Sequence, residues 1–266
     1  MPTGIEIEWR KLRADQLREK AQQNAMVILP VGSLEQHGPH LPVEVDSTLG
    51  EAVALGTARL IAKQEPVLVL PTLWTGVSEH HMSFGGTITL GYQAFAAVIE
   101  GICQSLVRLG FKRIVLLNGH GGNDNALRVI TDELSPKLGI PIVQFTYWYA
   151  AAEPIAEILD TQSVLQHACE AETSMMMAVR PDLVAKERIP LARTNMTPEV
   201  RDLVGGGVYR WRTIGSMSAS GVLGHPEAAS ATKGQDLLRA ITETLASKLL
   251  NEELWTLPWQ SDPVES

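Results

Sequence analysis

A chain of 266 residues with 45% hydrophobic and 20% charged residues is balanced like an ordinary globular protein and is long enough to bury a large core without staples. A net charge of −8 with no long basic run argues against nucleic acid and anionic membrane surfaces as partners, and no apolar stretch approaches the 18 residues of a membrane-spanning helix. Cys103 and Cys169 lie outside any CxxC pattern and the charged N-terminus has no apolar signal core, so a reducing, cytoplasmic setting is expected.

In chain order, AMVILPVG (25–32) reads as a buried strand. TLGEAVALGTARLIAKQ (48–64) has helical spacing, with Asp46 or Ser47 available as its N-cap. PVLVLPTLW (66–74) reads as a second strand. A long amphipathic helix follows over 92–110, stopped by Gly110. RIVLLNG (113–119) is a third strand, 122–139 a third helix and IPIVQFTYW (140–148) a fourth strand. Further helices are expected over 168–180 and 234–254. Strands that are apolar throughout and alternate with helices specify a parallel sheet covered on both faces. The stretch 190–226, rich in Gly, Ser, Thr and Arg, reads as a surface excursion, either a subunit contact or a wall of the active site.

Ligands of open α/β sheets bind at the carboxyl ends of the strands. Three polar clusters fall there: GSLEQHGPHLPVEVD after the first strand, GVSEHHMSFGGT after the second and NGHGGN after the third. Glu35 and His37, at i and i+2 of an extended segment, share one face. Asp46 stands at the mouth of a helix, where a carboxylate could cap the helix or bridge two cations. His120 sits in a Gly-rich turn. Imidazole with carboxylate suits zinc, manganese or a pair of such ions. Each cluster alone also has an ordinary reading: a cap, a tight turn, a surface histidine pair. Their recurrence at three successive strand ends is what favours a metal site. Neither a G-x-S-x-G nucleophile elbow nor a phosphate-binding glycine fingerprint is present.

Taken together, GSLEQHGPHLPVEVD, NGHGGN and HACEAETSMMM (167–177), with FGGT and GVLGHPEAAS (221–230), resemble the creatininase (creatinine amidohydrolase) family over residues 26–245 or so. The resemblance is closer to members with HGGN. It implies one hydrolase domain over 1–266 with a three-layer α/β/α fold, a two-metal centre of zinc or manganese, with ferrous iron a further option, hydrolysis of a C–N bond in a small amide, and a homo-oligomer, often a hexamer. It also implies that Glu35, Asp46 and His120 hold one ion and that His37, Asp46 and Glu172 hold the other. Gly122 stands where creatininase itself carries a ligand glutamate, so Glu172 joins the metal-binding and catalytic set, with Glu170 as the fallback. Met175 stands where an acid histidine is expected, which counts against creatinine and leaves His81, Glu170 or a metal-bound water as the acid. On the two-metal reading, a shared water of lowered pKa attacks the amide carbonyl. His40 is expected to orient a ligand or the loop, Asn118 and Asn123 to fix the NGHGGN turn. A phosphate-bearing substrate would call on Arg193, Arg201, Arg210 and Arg212. A formamide hydrolase, a hydrolase of another bond and a non-catalytic small-molecule-binding protein on the same fold are the competing readings.

Overall fold

A computed structural model describes residues 5–192 and 210–257. Four strands, β1 (Met26–Val31), β2 (Val67–Val69), β3 (Arg113–Asn118) and β4 (Ile142–Thr146), form one sheet in the order β2-β1-β3-β4. Every pairing is parallel. The strands alternate their side chains between two cores. Met26, Ile28, Val67, Val69, Val115 and Leu117 face one side, where α2 (Val45–Ile61), α7 (Glu170–Val179) and α8 (Ala231–Leu249) pack with the short α5 (Tyr147–Ala150) and α6 (Ala152–Ile158). Val27, Leu29, Leu68, Ile114 and Leu116 face the other, under α3 (Tyr92–Arg108), α4 (Asp124–Leu138) and α1 (Ala14–Gln22). This is the expected α/β/α arrangement, and burial on both faces explains why the strands read as unbroken apolar runs.

Three boundaries differ from the sequence reading for local reasons. The strand expected over 66–74 shortens to Val67–Val69, because Pro71 has no N–H to continue the ladder. The fourth strand ends at Thr146, and Tyr147 and Trp148 open α5. Helix α2 begins at Val45 and not at 48, and neither Asp46 nor Ser47 caps it. Ser47 Oγ instead donates to the Ser33 carbonyl at 3.1 Å, tying the helix start to the loop after β1. Helix α8 starts where Ser230 accepts the Lys233 amide, three residues before the expected 234. Helix α1 was not anticipated; its mean hydropathy is low and none of its residues is buried.

Helix α7 is held against α8 by a buried ion pair. Glu170 is fully buried and accepts the amides of Asp160 (2.9 Å) and Thr161 (3.0 Å). Lys233 Nζ bonds the same carboxylate and also reaches Asp160 Oδ2 and the Ala228 carbonyl, each at 2.8 Å. Burial opposes ionisation of Glu170, but these donors hold its carboxyl below the ordinary range.

Candidate metal centre

The loops after β1, β2 and β3 and the N-terminal turns of α2 and α7 converge at one edge of the sheet. Asp46 enters from the first turn of α2 and is only 3% exposed. Its Oδ1 lies 3.2 Å from His37 Nε2 and its Oδ2 lies 3.0 Å from His120 Nδ1. Glu35 Oε2 lies 3.2 Å from His120 Nδ1, and Glu172 Oε2 3.9 Å from His37 Nε2. Two groups of donors result, Glu35–Asp46–His120 and His37–Asp46–Glu172, each with its ligand atoms within 4.8 Å of one another. Asp46 belongs to both. Glu35, His37 and His167 form a third such group.

Hydrogen-bond partners fix which ring nitrogens face inward. His37 Nδ1 is 3.0 Å from the Glu35 carbonyl and His120 Nε2 is 3.1 Å from the Val77 carbonyl. A carbonyl only accepts, so these nitrogens carry the protons, and His37 Nε2 and His120 Nδ1 turn their other side to the carboxylates. His37 Nε2 and Asp46 Oδ2 are buried without a hydrogen-bond partner. Two orphaned lone-pair donors in a dry cluster fit a divalent cation between them.

The electrostatics agree. Burial works against charge on His37, but Asp46, Glu172 and Glu35 raise its pKa to about 9. His120 is raised in the same way by Glu35 and Asp46 against the cost of burial. Burial pushes Glu172 up to about 8. Three carboxylates in a water-poor cluster recruit positive charge, as protons when no metal competes. Metal uptake near neutral pH therefore releases protons, because His37 stays protonated below about 9. Apparent affinity is expected to fall as pH falls from 9 to 6. Titration calorimetry in buffers of different ionisation enthalpy reads this directly, and uptake without proton release contradicts it.

Supporting groups hold the centre in place. Ser33 Oγ donates to Glu35 Oε2 at 3.0 Å and lies 2.5 Å from Ser78 Oγ, itself 3.1 Å from His120 Nε2. His40 Nε2 meets Thr173 Oγ1 at 2.8 Å, so it ties the first loop to α7 beside Glu172. Asn118 brackets His120, donating to its carbonyl (2.7 Å) and accepting its amide (3.1 Å). Asn123 accepts the Val77 amide and donates to the Gly32 carbonyl. Ala168, at φ +53°, takes a left-handed conformation unusual for a residue with a Cβ, and its amide donates to Glu172 Oε2 at 2.5 Å. Gly122 has no room for a side chain. A Cβ there would come within 2.2 Å of the Val77 carbonyl oxygen and 2.5 Å of His120 Nε2, so no glutamate fits at this position.

Met175 is fully buried in the apolar core and does not line the cavity, so it supplies no acid to the centre. The sequence reading meets two corrections. Glu170, the fallback ligand, is turned away to Lys233. His81 is buried with Nε2 3.1 Å from Glu35 Oε1, which ties it to that carboxylate; burial, followed by the neighbouring His167, lowers its pKa, and burial lowers that of His167 in the same way. The residue that sequence reasoning passed over is His167, although it opens HACEAETSMMM. Its Nδ1 lies 3.6 Å from Glu35 Oε1 and its Nε2 2.8 Å from the Gln36 carbonyl.

A cavity of about 610 Å³ opens above the cluster. Glu35, Asp46, His81, His120, His167 and Glu172 form its polar part, and Trp148, Tyr149, Val164, Leu165, Ile214 and Leu223 are among its apolar lining. Among the described residues no Lys or Arg lines it, Arg210 and Arg212 included; Arg193 and Arg201 lie outside the described residues.

A cavity over converging imidazoles and carboxylates is the kind of site that metal-dependent hydrolases use. The chain belongs to the creatininase family: the family model described as creatinine amidohydrolase matches residues 10–249. It is 30% identical over 241 residues to a mycofactocin precursor peptide peptidase of Mycobacterium ulcerans, covering 86% of this chain and 85% of that protein. It is 28% identical over 265 residues to the creatinine amidohydrolase of Pseudomonas putida, covering 93% and 95%. A solved creatininase variant complexed with creatine superposes with a TM-score of 0.78 at 25% identity, covering 94% of this chain and 99% of that one. A creatininase in a manganese form gives 0.76 at 26% identity, covering 93% and 99%. The chain is thus a hydrolase of the creatininase family, whose members include enzymes that cleave C–N amide bonds. Its donor clusters and the manganese relative support use of divalent metal. No helix among the described residues is long and apolar enough to cross a membrane.

Proposed function

We propose that this protein is a binuclear-metal-dependent amidohydrolase that cleaves the C–N bond of a small, uncharged or weakly charged amide, cyclic or linear. The observation that carries the reading is Asp46, whose two oxygens face different donor groups, one completed by Glu35 and His120, the other by His37 and Glu172. A bound pair of divalent ions supplies Lewis acidity, lowering the pKa of water and polarising a carbonyl. The chain's own residues do the rest. Glu35 and Glu172 set the two ends of the centre. His81 Nε2–H donates to Glu35 Oε1 and steadies it, so the acid role expected of His81 moves to His167. His167 Nδ1 opens to the cavity beside Glu35 and can take a proton there and hand it to the departing nitrogen, which an amide requires.

The absence of Lys and Arg from the described lining disfavours a phosphorylated substrate. The apolar part of the wall supports a second reading, a short peptide with apolar side chains, as the name of the Mycobacterium ulcerans relative suggests. The likeness also carries the expectation of a cytoplasmic homo-hexamer, which sedimentation of the metal-loaded protein tests. The deciding experiment is a turnover screen over creatinine, lactams, cyclic imides, formamides and short apolar peptides with metal-loaded and metal-stripped protein. Amide cleavage that disappears on stripping and returns with zinc or manganese supports the reading. Full activity after stripping refutes it.

A further inference from the structure

We propose that Gln36 is a positioning residue: its side-chain amide fixes His81 as a proton donor and, with its own carbonyl, His167 as a proton acceptor, on the two sides of Glu35. The inference rests on the hydrolase reading above and deepens it.

Gln36 lies between two candidate ligands, and its side chain reaches back beneath the cavity, where it is 7% exposed. Its Oε1 accepts the Gly38 amide at 2.9 Å, which fixes the orientation of the carboxamide. Its Nε2 then lies 3.0 Å from each of three atoms: His81 Nδ1, His167 Nε2 and the Gly221 carbonyl oxygen. The amide has two hydrogens for three neighbours. His167 Nε2 is also 2.8 Å from the Gln36 carbonyl, and two acceptors at that distance would repel, so His167 Nε2 carries a proton and donates it to the carbonyl. The two amide hydrogens therefore go to Gly221 and to His81 Nδ1. With Nδ1 accepting, His81 must carry its proton on Nε2, where it meets Glu35 Oε1 at 3.1 Å. His167, protonated on Nε2, keeps a bare Nδ1 towards the cavity, 3.6 Å from the same oxygen.

The two rings are 4.4 Å apart, one presenting N–H and the other a lone pair. Without the amide, His81 has no reason to keep its Nδ1 bare. Its other tautomer would set a lone pair against a carboxylate oxygen and release Glu35. Gly221 makes the seat possible. It has φ +78°, and a Cβ there would come within 2.1 Å of Gln36 Oε1. Gly221 thus acts on the chemistry through Gln36 without itself lining the cavity.

The test uses zinc-loaded full-length protein with ¹⁵N-labelled histidine. In the wild type, His81 is expected with its proton on Nε2 alone and His167 with a bare Nδ1; the reverse tautomer at either ring overturns the proposal whatever the variants do. Gln36→Met keeps length and apolar bulk but removes the amide. It is expected to keep two zinc ions, lose the single His81 tautomer and lower kcat roughly 10- to 100-fold with KM little changed, the scale seen for groups that orient ligands. Gly221→Ala, which displaces the amide without deleting it, should shift the same His81 signal. Unchanged His81 spectra and unchanged kcat in Gln36→Met overturn the assignment. Failure of the wild type to bind zinc would instead remove the underlying hydrolase reading.

Discussion

Asp46→Ala is expected to empty both cation positions at once. Its two oxygens serve two donor groups, so no other single substitution removes a ligand from each. The remaining groups, Glu35 with His120 and His37 with Glu172, fall to two donors apiece, below the three that a catalytic ion ordinarily takes from protein. We expect metal content near zero after dialysis and kcat/KM lowered by roughly 10³-fold or more, which corresponds to about 4 kcal/mol of transition-state stabilisation. The fold should survive, because the substitution deletes a buried carboxylate that lacks a full set of partners. Circular dichroism checks the fold and plasma emission spectroscopy the metal. A variant that keeps both ions, or keeps its activity, contradicts the bridging role.

Lys233→Met is expected to give the largest loss of stability away from the site. Lys233 is the one cation on Glu170 among the described residues, and Glu170 is fully buried. Removing one member of such a pair leaves a buried charge that only amides and a hydroxyl then satisfy. The expected cost is about 3 kcal/mol, or roughly 10 °C in Tm for a chain of this size. The pair fixes α7, which delivers Glu172, so metal affinity should weaken as well. The pH dependence follows from the depressed Glu170 pKa. Its contribution is complete above the ordinary value of 4.5 and disappears as pH falls through the lower folded value. Lys233→Met should flatten this acid limb, and adding Glu170→Gln should restore part of the stability. Denaturant melts of the three proteins at pH 7 and pH 4 decide the point; identical midpoints would show the pair to be inert.

The contrast between these two positions shows what the sequence reveals. The layers were legible because strands buried on both faces must be apolar throughout, as in residues 26–31 and 113–118. The gathering of Glu35, His37, Asp46, His120 and Glu172 at one edge of the sheet was legible because they stand in motifs specific to one family. Roles set by loop geometry were not legible. His167 precedes Glu172 by five residues, and only the left-handed Ala168 brings its ring beside Glu35. Asp46 allowed two readings in the sequence, a helix cap or a bridge between cations; its oxygens face His37 and His120 and do not cap α2. Gln36, between two candidate ligands, carried no signal at all. Its partners lie 45, 131 and 185 residues away in the chain.

Anomalous diffraction from crystals of the metal-loaded protein tests the account most directly. The prediction is two peaks about 3.5–4 Å apart, one in contact with Glu35, Asp46 and His120, the other with His37, Asp46 and Glu172. A single peak, or a pair that does not share Asp46, would contradict it.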